Sequence, residues 1–176
     1  MGSVNIDYKA ATKESIDLLA KHGNKKIAFI SGALIDAING QARMGGYKES
    51  LAENGLDYNE GLIFEAPYNF KEGLALTDRI LNSGATAAYV TDDELAIGLL
   101  DGLIDKGVKV PEDFEIITSN DSLLTEVARP RLSSVTQPLY DIGAVAMRLL
   151  TKMMNKEDIE QKTIELPHGI FEKGST

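Results

Sequence analysis

The 176 residues of the chain are 43% hydrophobic and 26% charged, a composition typical of a soluble α/β domain with a buried core. Cysteine is absent and the two histidines lie far apart in sequence, so disulfides, thiol chemistry and thiolate zinc sites are excluded. With 27 acidic and 18 basic residues the formal net charge is −9, so the phosphates of a nucleic acid would repel the chain and any contact with DNA must come from another segment.

The sequence carries no signal for a membrane or for export. No apolar run reaches the roughly 18 residues that a membrane span needs, and no basic segment followed by an apolar one opens the chain. We therefore expect a soluble, cytoplasmic protein without membrane contact. Residues 1–3 (Met-Gly-Ser) are typical of a cloning remnant.

Short apolar runs alternate with helical periodicity along most of the chain, which is typical of βα units around a parallel sheet. A lone strand is predicted over residues 4–7, and four buried strands over 26–31, 61–65, 86–91 and 114–119. Helices are predicted over 8–22, 43–54, 70–82 and 94–106, each followed by a glycine that can close it. These units predict a doubly wound, three-layer α/β sandwich with a parallel sheet.

The pattern changes after Val135. A long helix is predicted over 139–154, and two short apolar runs follow around Ile164 and Ile170. We infer that the chain visits a second lobe twice, at its start and again after Gln137. The predicted division is a remnant at 1–3, a strand of a truncated amino-terminal lobe at 4–8, a carboxyl-terminal lobe at 9–136, a return to the first lobe at 137–167 and a last strand of the carboxyl-terminal lobe at 168–176.

Polar side chains gather where the predicted strands end, which is where an open parallel sheet binds ligands. The set includes Tyr68, Asp92, Asn120 and Asp121. Carboxylates and amides hydrogen-bond sugar hydroxyls, while an aromatic ring packs against a sugar face, so this rim suits a hydroxyl-rich ligand. The alternative is structural, because Asn and Asp at strand ends form turns, and Asp92 also fits the N-cap of the next helix.

Catalysis has little support. Asp92 and Asp93 could form an acid–base pair, but adjacent carboxylates at a helix start point apart and usually cap the helix. The motifs G-x-S-x-G, G-x-x-x-x-G-K-[ST] and G-x-G-x-x-G are absent. We predict no catalytic residue, no metal and no cofactor, and a small-molecule enzyme on a flavodoxin-like sheet is the least favoured alternative.

The helix predicted over 139–154 carries an apolar stripe and a basic row. Like charges at this spacing repel by roughly 0.2–0.5 kcal/mol per pair, so the basic row indicates either a bound anion or cations that favour the end of the helix dipole. The stripe is expected to be buried. The stripe consists of Ile142, Val145, Ala146, Leu149 and Met153, and the basic row of Arg148, Lys152 and Lys156.

The helix that begins near Glu94 is apolar over an unusually wide arc. One row is formed by Leu95, Leu99 and Leu103, and a second by Ala96, Leu100 and Ile104. One row can face the sheet, and the excess suggests a partner subunit, although a covering loop would give the same pattern. The predicted dimer interface is the row of Leu95, Leu99 and Leu103.

Two strings carry a family resemblance. TDDELAIGLLDGLIDKGVKVPEDFEIITSNDS and INGQARMGGYKESL resemble the core of the LacI/GalR family of bacterial transcription regulators. The resemblance implies a periplasmic-binding-protein-like type I fold, mostly its carboxyl-terminal lobe, in a homodimer that touches operator DNA only through a headpiece unmatched here. It also implies a sugar or sugar-phosphate effector held by Arg43, Tyr68, Asp92 and the position of Asn120, where many relatives have aspartate.

RPRLSSVTQPLYDIGAVAMRLLTKMMNKE and the later LPHGI look most like the carbon-catabolite-control branch of this family. That branch takes serine-phosphorylated HPr, a phosphocarrier protein, as corepressor. The resemblance implies that Arg148 and Lys152 hold the phosphoserine, with Tyr140, Asp141 and Val145 as neighbours. A sugar-binding module of a transport receptor is the alternative.

Overall fold

The computed structural model describes residues 2–35, 37–159 and 161–176 and has the predicted α/β architecture. Its helices are α1 (Tyr8–Lys21), α2 (Arg43–Glu53), α3 (Phe70–Asn82), α4 (Asp93–Asp105), α5 (Leu123–Val127) and α6 (Leu139–Met154). A π-helical segment, Ala37–Ala42, leads into α2. The strands are β1 (Ser3–Ile6), β2 (Ile27–Ser31), β3 (Ile63–Glu65), β4 (Ala87–Val90), β5 (Glu115–Thr118), β6 (Ser133–Thr136), β7 (Thr163–Leu166) and β8 (Gly169–Phe171).

The main sheet has six strands in the order β3-β2-β4-β5-β6-β8. All neighbours pair in parallel except β8, which is antiparallel to β6. Alternate residues of the central strands enter two separate cores: Ala28 and Ile30 pack with α3 and α4, whereas Ile27 and Phe29 pack with α1 and α2. The predicted three-layer, doubly wound sandwich is therefore confirmed.

Most predicted elements lie where the sequence pattern put them, and the boundaries shift by one or two residues. The first strand begins at Ser3, inside the segment interpreted as a remnant, and ends before Tyr8, where α1 already begins. Four elements of the described residues were not predicted. They are the π-helical segment Ala37–Ala42, a 3-10 turn at Glu60–Leu62, the short helix α5 and the strand β6.

A second, two-stranded sheet pairs β1 with β7 in parallel, and α6 packs beside β1. Three segments of the chain cross between the two sheets: from β1 to α1, from β6 to α6 and from β7 to β8. We call these the first, second and third crossovers. The pairing agrees with a chain that enters a second lobe at its start and returns to it after Gln137, while the exact lobe boundaries remain a prediction.

The α1–α2 contact combines a close backbone approach with a polar cluster. A Cβ on Gly46 would lie well inside 3.0 Å of the backbone of Lys9, so only glycine permits this approach. The Asp17 carboxylate accepts hydrogen bonds from Ser50 Oγ (2.5 Å), Asn54 Nδ2 (2.7 Å) and Lys13 Nζ (2.9 Å). Partial burial alone would raise the pKa of Asp17, but these three donors hold it below its ordinary value.

The predicted dimer interface on α4 is wrong. Leu95, Leu99 and Leu103 are buried to 0–1% exposure in the core of the same chain. The second row is largely buried too, because the backbone of α3 lies directly against α4. A Cβ on Gly73 or Gly98 would collide with the other helix, so α3 covers the arc assigned to a second subunit.

The predicted buried stripe of α6 is also mostly wrong. Only Leu149 is buried, while Ile142 and Val145 are half-buried, Ala146 is exposed and Met153 is 40% exposed. The helix has the expected amphipathic pattern, but the small β1–β7 sheet covers little of its apolar side. Leu149 therefore anchors α6, while most other side chains of the helix are exposed to solvent.

Candidate functional site

Two groups of side chains stand out as candidate sites. The first lies at the carboxyl ends of β2, β4 and β5 in the main sheet, and we call it the cleft. The second lies on α6 beside the two-stranded sheet, and we call it the α6 basic site.

Asp92 has one of the two roles considered from the sequence, the N-cap of α4, and its contact with an effector stays a prediction. Its Oδ1 accepts the backbone N–H groups of Glu94 (3.0 Å) and Leu95 (3.1 Å), so it caps α4. Its Oδ2 accepts a long hydrogen bond from Asn120 Nδ2 at 3.5 Å. One carboxylate oxygen thus serves the fold, and the other faces the neighbouring strand end.

Asp93 stabilises the loop after β5, at the edge of the cleft. Its buried carboxylate accepts hydrogen bonds from Thr118 Oγ1 (2.7 Å), from the backbone N–H of Ser122 (2.8 Å) and from that of Asn120 (3.3 Å). This side chain fixes the loop after β5. Sequence reasoning missed the role because the only signal was an acidic pair that also fits a helix start.

Arg43 is the buried cation of the cleft. It is 3% exposed, its Nη1 donates to the Thr91 carbonyl at 3.3 Å, and its guanidinium lies 4.6 Å from the ring centroid of Tyr8. Within the described part of the chain, its Nε has no hydrogen-bond partner. A buried charged group is expected to be paired, so a ligand could supply the missing acceptor.

Two serine hydroxyls at the same edge of the sheet also lack a hydrogen-bond partner among the described residues. Ser31 ends β2 and Ser119 follows β5, both are buried, and neither Oγ has a partner among the described residues. Together with Arg43 they place three unpaired polar atoms near the carboxyl ends of the strands. Such a cluster suits a ligand rich in hydroxyl or anionic oxygens.

Tyr68 lies at the outer end of the cleft. It is 41% exposed, and its hydroxyl accepts a hydrogen bond from Thr91 Oγ1 at 3.1 Å. Its ring passes so close to Gly32 that a Cβ there would lie 2.8 Å from Tyr68 Cζ. Tyr68 lines an open cavity of about 580 Å³ with the last residue of β3 and residues of the loops after β2 and β3, namely Glu65, Gly32, Ala33, Ala66 and Pro67.

Asp121 is not brought to this rim. It has a left-handed backbone (φ 49°), and its carboxylate accepts hydrogen bonds from Lys173 Nζ (2.7 Å) and Thr125 Oγ1 (3.2 Å). Lys173 also pairs with Glu126 at 2.6 Å. Burial would lower the pKa of Lys173, but its hydrogen bonds to Asp121 and Glu126 raise it above its ordinary value. The Asp121 carboxylate therefore holds the fold together, and the prediction that it contacts an effector is corrected.

The α6 basic site contains the predicted corepressor residues. Arg148 and Lys152 are exposed one helical turn apart and line a cavity of about 580 Å³ with Val145, Leu149, Asp158, Ile159, Gln161 and Ile164. Tyr140 (88% exposed) and Asp141 lie on the first turn of the same helix. Lys156 lies beyond the end of α6 in a left-handed conformation, so the helical basic row contains two cations rather than three.

Neither site contains an evident metal centre. Across residues 2–35, 37–159 and 161–176, no three His, Asp or Glu side chains are grouped so that they could hold an ion. None of the described helices has the length and hydropathy that a bilayer crossing requires.

Comparison with known proteins gives one consistent family. Residues 16–176 match the family described as periplasmic binding protein-like domain. The chain is 60% identical over 174 residues to catabolite control protein A of Streptococcus mutans serotype c, covering 99% of the chain and 52% of that protein. It therefore spans about half the length of this curated relative.

Solved structures agree with the sequence match. The crystal structure of the transcription regulator CcpA of Lactococcus lactis superposes with a TM-score of 0.97 at 52% identity, covering 99% of this chain and 64% of that one. A complex of the transcriptional regulator CelR with cellobiose gives a TM-score of 0.93 at 28% identity, covering 100% and 54%. The relatives are thus transcription regulators.

Proposed function

The chain belongs to the periplasmic-binding-protein-like domain family, and from that membership we propose that it is the effector-binding and dimerising core of a LacI-type regulator of carbon catabolite control. The similarity to catabolite control protein A of Streptococcus mutans and to the transcription regulator CcpA of Lactococcus lactis supports this proposal. Such a regulator acts in the cytoplasm and touches operator DNA through a separate headpiece. The net charge of −9 agrees with that division of labour.

The observation that carries the proposal is the pair Arg148 and Lys152, one helical turn apart on the exposed face of α6 and lining one cavity. A guanidinium fork together with a lysine point charge is a suitable clamp for a phosphate. Tyr140 and Asp141, exposed on the first turn of the helix, extend the surface available to a protein partner. We propose serine-phosphorylated HPr as that partner.

The cleft is proposed to hold a sugar or a sugar phosphate. Buried Arg43 supplies a cation, Asp92 and Asn120 supply hydrogen-bonding groups, and Tyr68 supplies a half-exposed ring. The neutral amide at Asn120 accepts a hydroxyl less strongly than a carboxylate does. This composition favours a ligand with both hydroxyl and anionic groups over a neutral sugar.

A second copy of the chain is proposed to pack on the outer side of α3, α4 and α5, in place of the buried row on α4. The short helix α5 is followed by Arg129, whose Nη1 lies within hydrogen-bond distance of the carbonyls of Glu126 (3.0 Å), Val127 (3.2 Å) and Ala128 (2.7 Å). Aliphatic side chains remain exposed on these three helices. They are Leu74 (40%), Ile104 (46%), Leu123 (76%) and Val127 (57%).

Calorimetric titration tests the corepressor assignment. Serine-phosphorylated HPr and unphosphorylated HPr are titrated into the full-length parent protein, with the 176-residue chain run alongside. We expect heat of binding for the phosphorylated form and a much weaker signal for the other. Equal affinity for the two forms, or no binding by a folded parent, would overturn the phosphate clamp.

Two variants and a matched control locate the interaction. Arg148→Ala and Lys152→Ala should each weaken binding of phosphorylated HPr by about 10-fold or more, the value of a charge-assisted hydrogen bond, and should barely change binding of plain HPr. Lys156→Ala removes a nearby lysine that lies beyond the helix and outside the cavity lining. Its affinity is expected to match the wild-type value.

A further inference from the structure

Two of the three crossovers are joined by one side-chain contact. Tyr8, at the first crossover, donates its hydroxyl proton to Gln137 Oε1 at 3.4 Å, and Gln137 lies at the second crossover. The two residues are 129 positions apart in sequence. The contact therefore ties together two of the segments on which the sheets must turn if they move relative to each other.

The amide end of Gln137 reaches into the cleft. Its Nε2 donates to the Ser119 carbonyl at 2.7 Å and to Asn120 Oδ1 at 3.4 Å. Asn120 Nδ2 in turn donates to Asp92 Oδ2 at 3.5 Å. One side chain at a crossover is thus two hydrogen bonds away from the carboxylate that faces the proposed ligand.

The other end of the contact returns to the same cleft. The ring of Tyr8 lies under the guanidinium of Arg43, and the distance from Arg43 Cζ to the centroid of the ring is 4.6 Å. Arg43 is the buried cation whose Nε lacks a partner in the described part of the chain. The series Asp92, Asn120, Gln137, Tyr8 and Arg43 therefore begins and ends at cleft residues and passes through two crossovers between them.

The strengths of these contacts suit a reversible connection. The bond from Gln137 to the Ser119 carbonyl is short and anchors the side chain. The three side-chain bonds at 3.4–3.5 Å lie beyond the usual N–H···O and O–H···O range, so each is weak and easily exchanged for a better partner. A ligand that engages Asp92, Asn120 or Arg43 supplies such partners.

We propose that Gln137 and Tyr8 are positioning residues that transmit occupancy of the cleft to the first and second crossovers, and we call this series of contacts the crossover relay. The proposal rests on the proposed function of the cleft. A ligand oxygen that pairs with Asn120 or Arg43 changes what Gln137 and Tyr8 contact, and so biases the relative arrangement of the two sheets. Tyr8 and Gln137 need not touch the ligand themselves.

The relay is tested first without ligand, by amide hydrogen exchange on the 176-residue chain. Two reporter amides lie at the crossovers: Ala11 N–H bonded to the Asp7 carbonyl, and Ile142 N–H bonded to the Pro138 carbonyl, both at 2.9 Å. Asn120→Ala, made only in the cleft, should speed exchange at both reporters by about fivefold, the factor for one neutral hydrogen bond.

Variants and controls separate transmission from general loosening. Tyr8→Phe removes the hydroxyl, keeps the ring under Arg43 and should reproduce the effect. Tyr140→Phe makes the same chemical change at a side chain that is 88% exposed and should leave both reporters unchanged. The Glu115 amide, bonded to the Thr86 carbonyl at 3.1 Å at the end of the main sheet away from the cleft, should exchange at the wild-type rate in all three variants.

A second arm uses glucose 6-phosphate as the probe, with glucose for comparison. In the wild-type chain, bound glucose 6-phosphate should change exchange at both reporters, and in Gln137→Leu it should bind without changing them. Unaltered reporters in ligand-free Asn120→Ala and Tyr8→Phe would overturn the relay whether or not a probe binds. Faster reporters with no binding of either probe would support the relay and count against the proposed effector.

Discussion

Adjacent glycines at the start of α2 allow a sharp test of how the cleft is built. Gly46 lies against the backbone of Lys9 on α1, whereas a Cβ on Gly45 would meet only the Lys9 side chain at 3.7–3.9 Å. The same helix begins with Arg43, and Lys9 follows Tyr8, so the close approach at Gly46 also sets Arg43 over Tyr8. Gly46→Ala and Gly45→Ala are therefore the same chemical change with opposite packing consequences.

The expected magnitudes follow from two opposing effects. In a helix interior, alanine is favoured over glycine by about 1 kcal/mol in both variants. At Gly46 the new methyl group meets rigid backbone, and forced overpacking of this kind costs about 3 kcal/mol, which leaves a net loss of about 2 kcal/mol. At Gly45 the flexible Lys9 side chain can yield, so the free energy of unfolding should rise by up to about 1 kcal/mol.

Thermal unfolding followed by circular dichroism measures both effects. For a chain of this size, the lower free energy of unfolding of Gly46→Ala predicts a Tm about 4–8 °C below the wild-type value. The higher free energy of unfolding of Gly45→Ala predicts a Tm about 2–4 °C above it. Gly46→Ala should also bind the cleft ligand more weakly, since α2 carries Arg43. A Gly46→Ala protein as stable as Gly45→Ala would refute the argument that α1 and α2 touch through their backbones.

Three further predictions concern the proposed dimer and two ion clusters. Leu123→Ser combined with Val127→Ser should raise the dimer dissociation constant at least about tenfold in sedimentation equilibrium, because these aliphatic side chains would be buried only in the dimer; an unchanged constant would place the interface elsewhere. Lys173→Met should lower Tm at pH 7. Because Lys173 holds the pKa of Glu126 below its ordinary value, the stabilisation is present at neutral pH and is lost as the pH falls, so the Tm difference from wild type should shrink by pH 3. The pKa of Asp17 is also lowered in the folded protein, so its charged form likewise stabilises the fold at neutral pH. Asp17→Asn should therefore flatten the dependence of the unfolding free energy on pH between about pH 5 and pH 3. Urea titrations in which the unfolding free energies of the two proteins fall equally steeply with pH would contradict this.

The fold was predictable because its central strands are buried on both faces. The strands β2 and β4 are continuously buried, so their short apolar runs stand out between amphipathic helices. The strand β6 gave no such signal, since it contains the buried residues Ser133 and Ser134. Ser133 is satisfied by Ser175 and Thr176 at the other end of the chain, a long-range pairing that local pattern cannot indicate.

The predicted dimer interface on α4 was wrong, although the sequence contained a signal against it. Part of the wide apolar arc of α4 was assigned to a second subunit because only one apolar row was expected to face the sheet. Gly73 on α3 and Gly98 on α4 let the two backbones touch, and the extra apolar row is thereby covered within one chain. Small residues at facing positions of consecutive helices were the available signal.

The candidate cleft was predictable in outline and not in detail. Residue type at strand ends correctly indicated that Asp92 and Asn120 would lie together. That Asp121 turns away depends on one left-handed backbone angle and on Lys173, 52 positions later. Gln137 carried no chemical signal beyond the proline that follows it, and its contacts depend on how two crossovers come together in space.

The exposure of α6 allows the phosphate clamp to be separated from its framework. The helix is anchored by one buried side chain, Leu149, and rests on a two-stranded sheet, which is a marginal support by itself. Arg148 and Lys152 nevertheless lie on one turn of one helix, so their spacing depends on local helical geometry rather than on distant contacts. If the clamp is local, the ratio of affinities for phosphorylated and plain HPr should be the same in this chain and in a longer parent, while both absolute affinities fall in the chain. A ratio that collapses in the chain would instead mean that residues outside it complete the phosphate site.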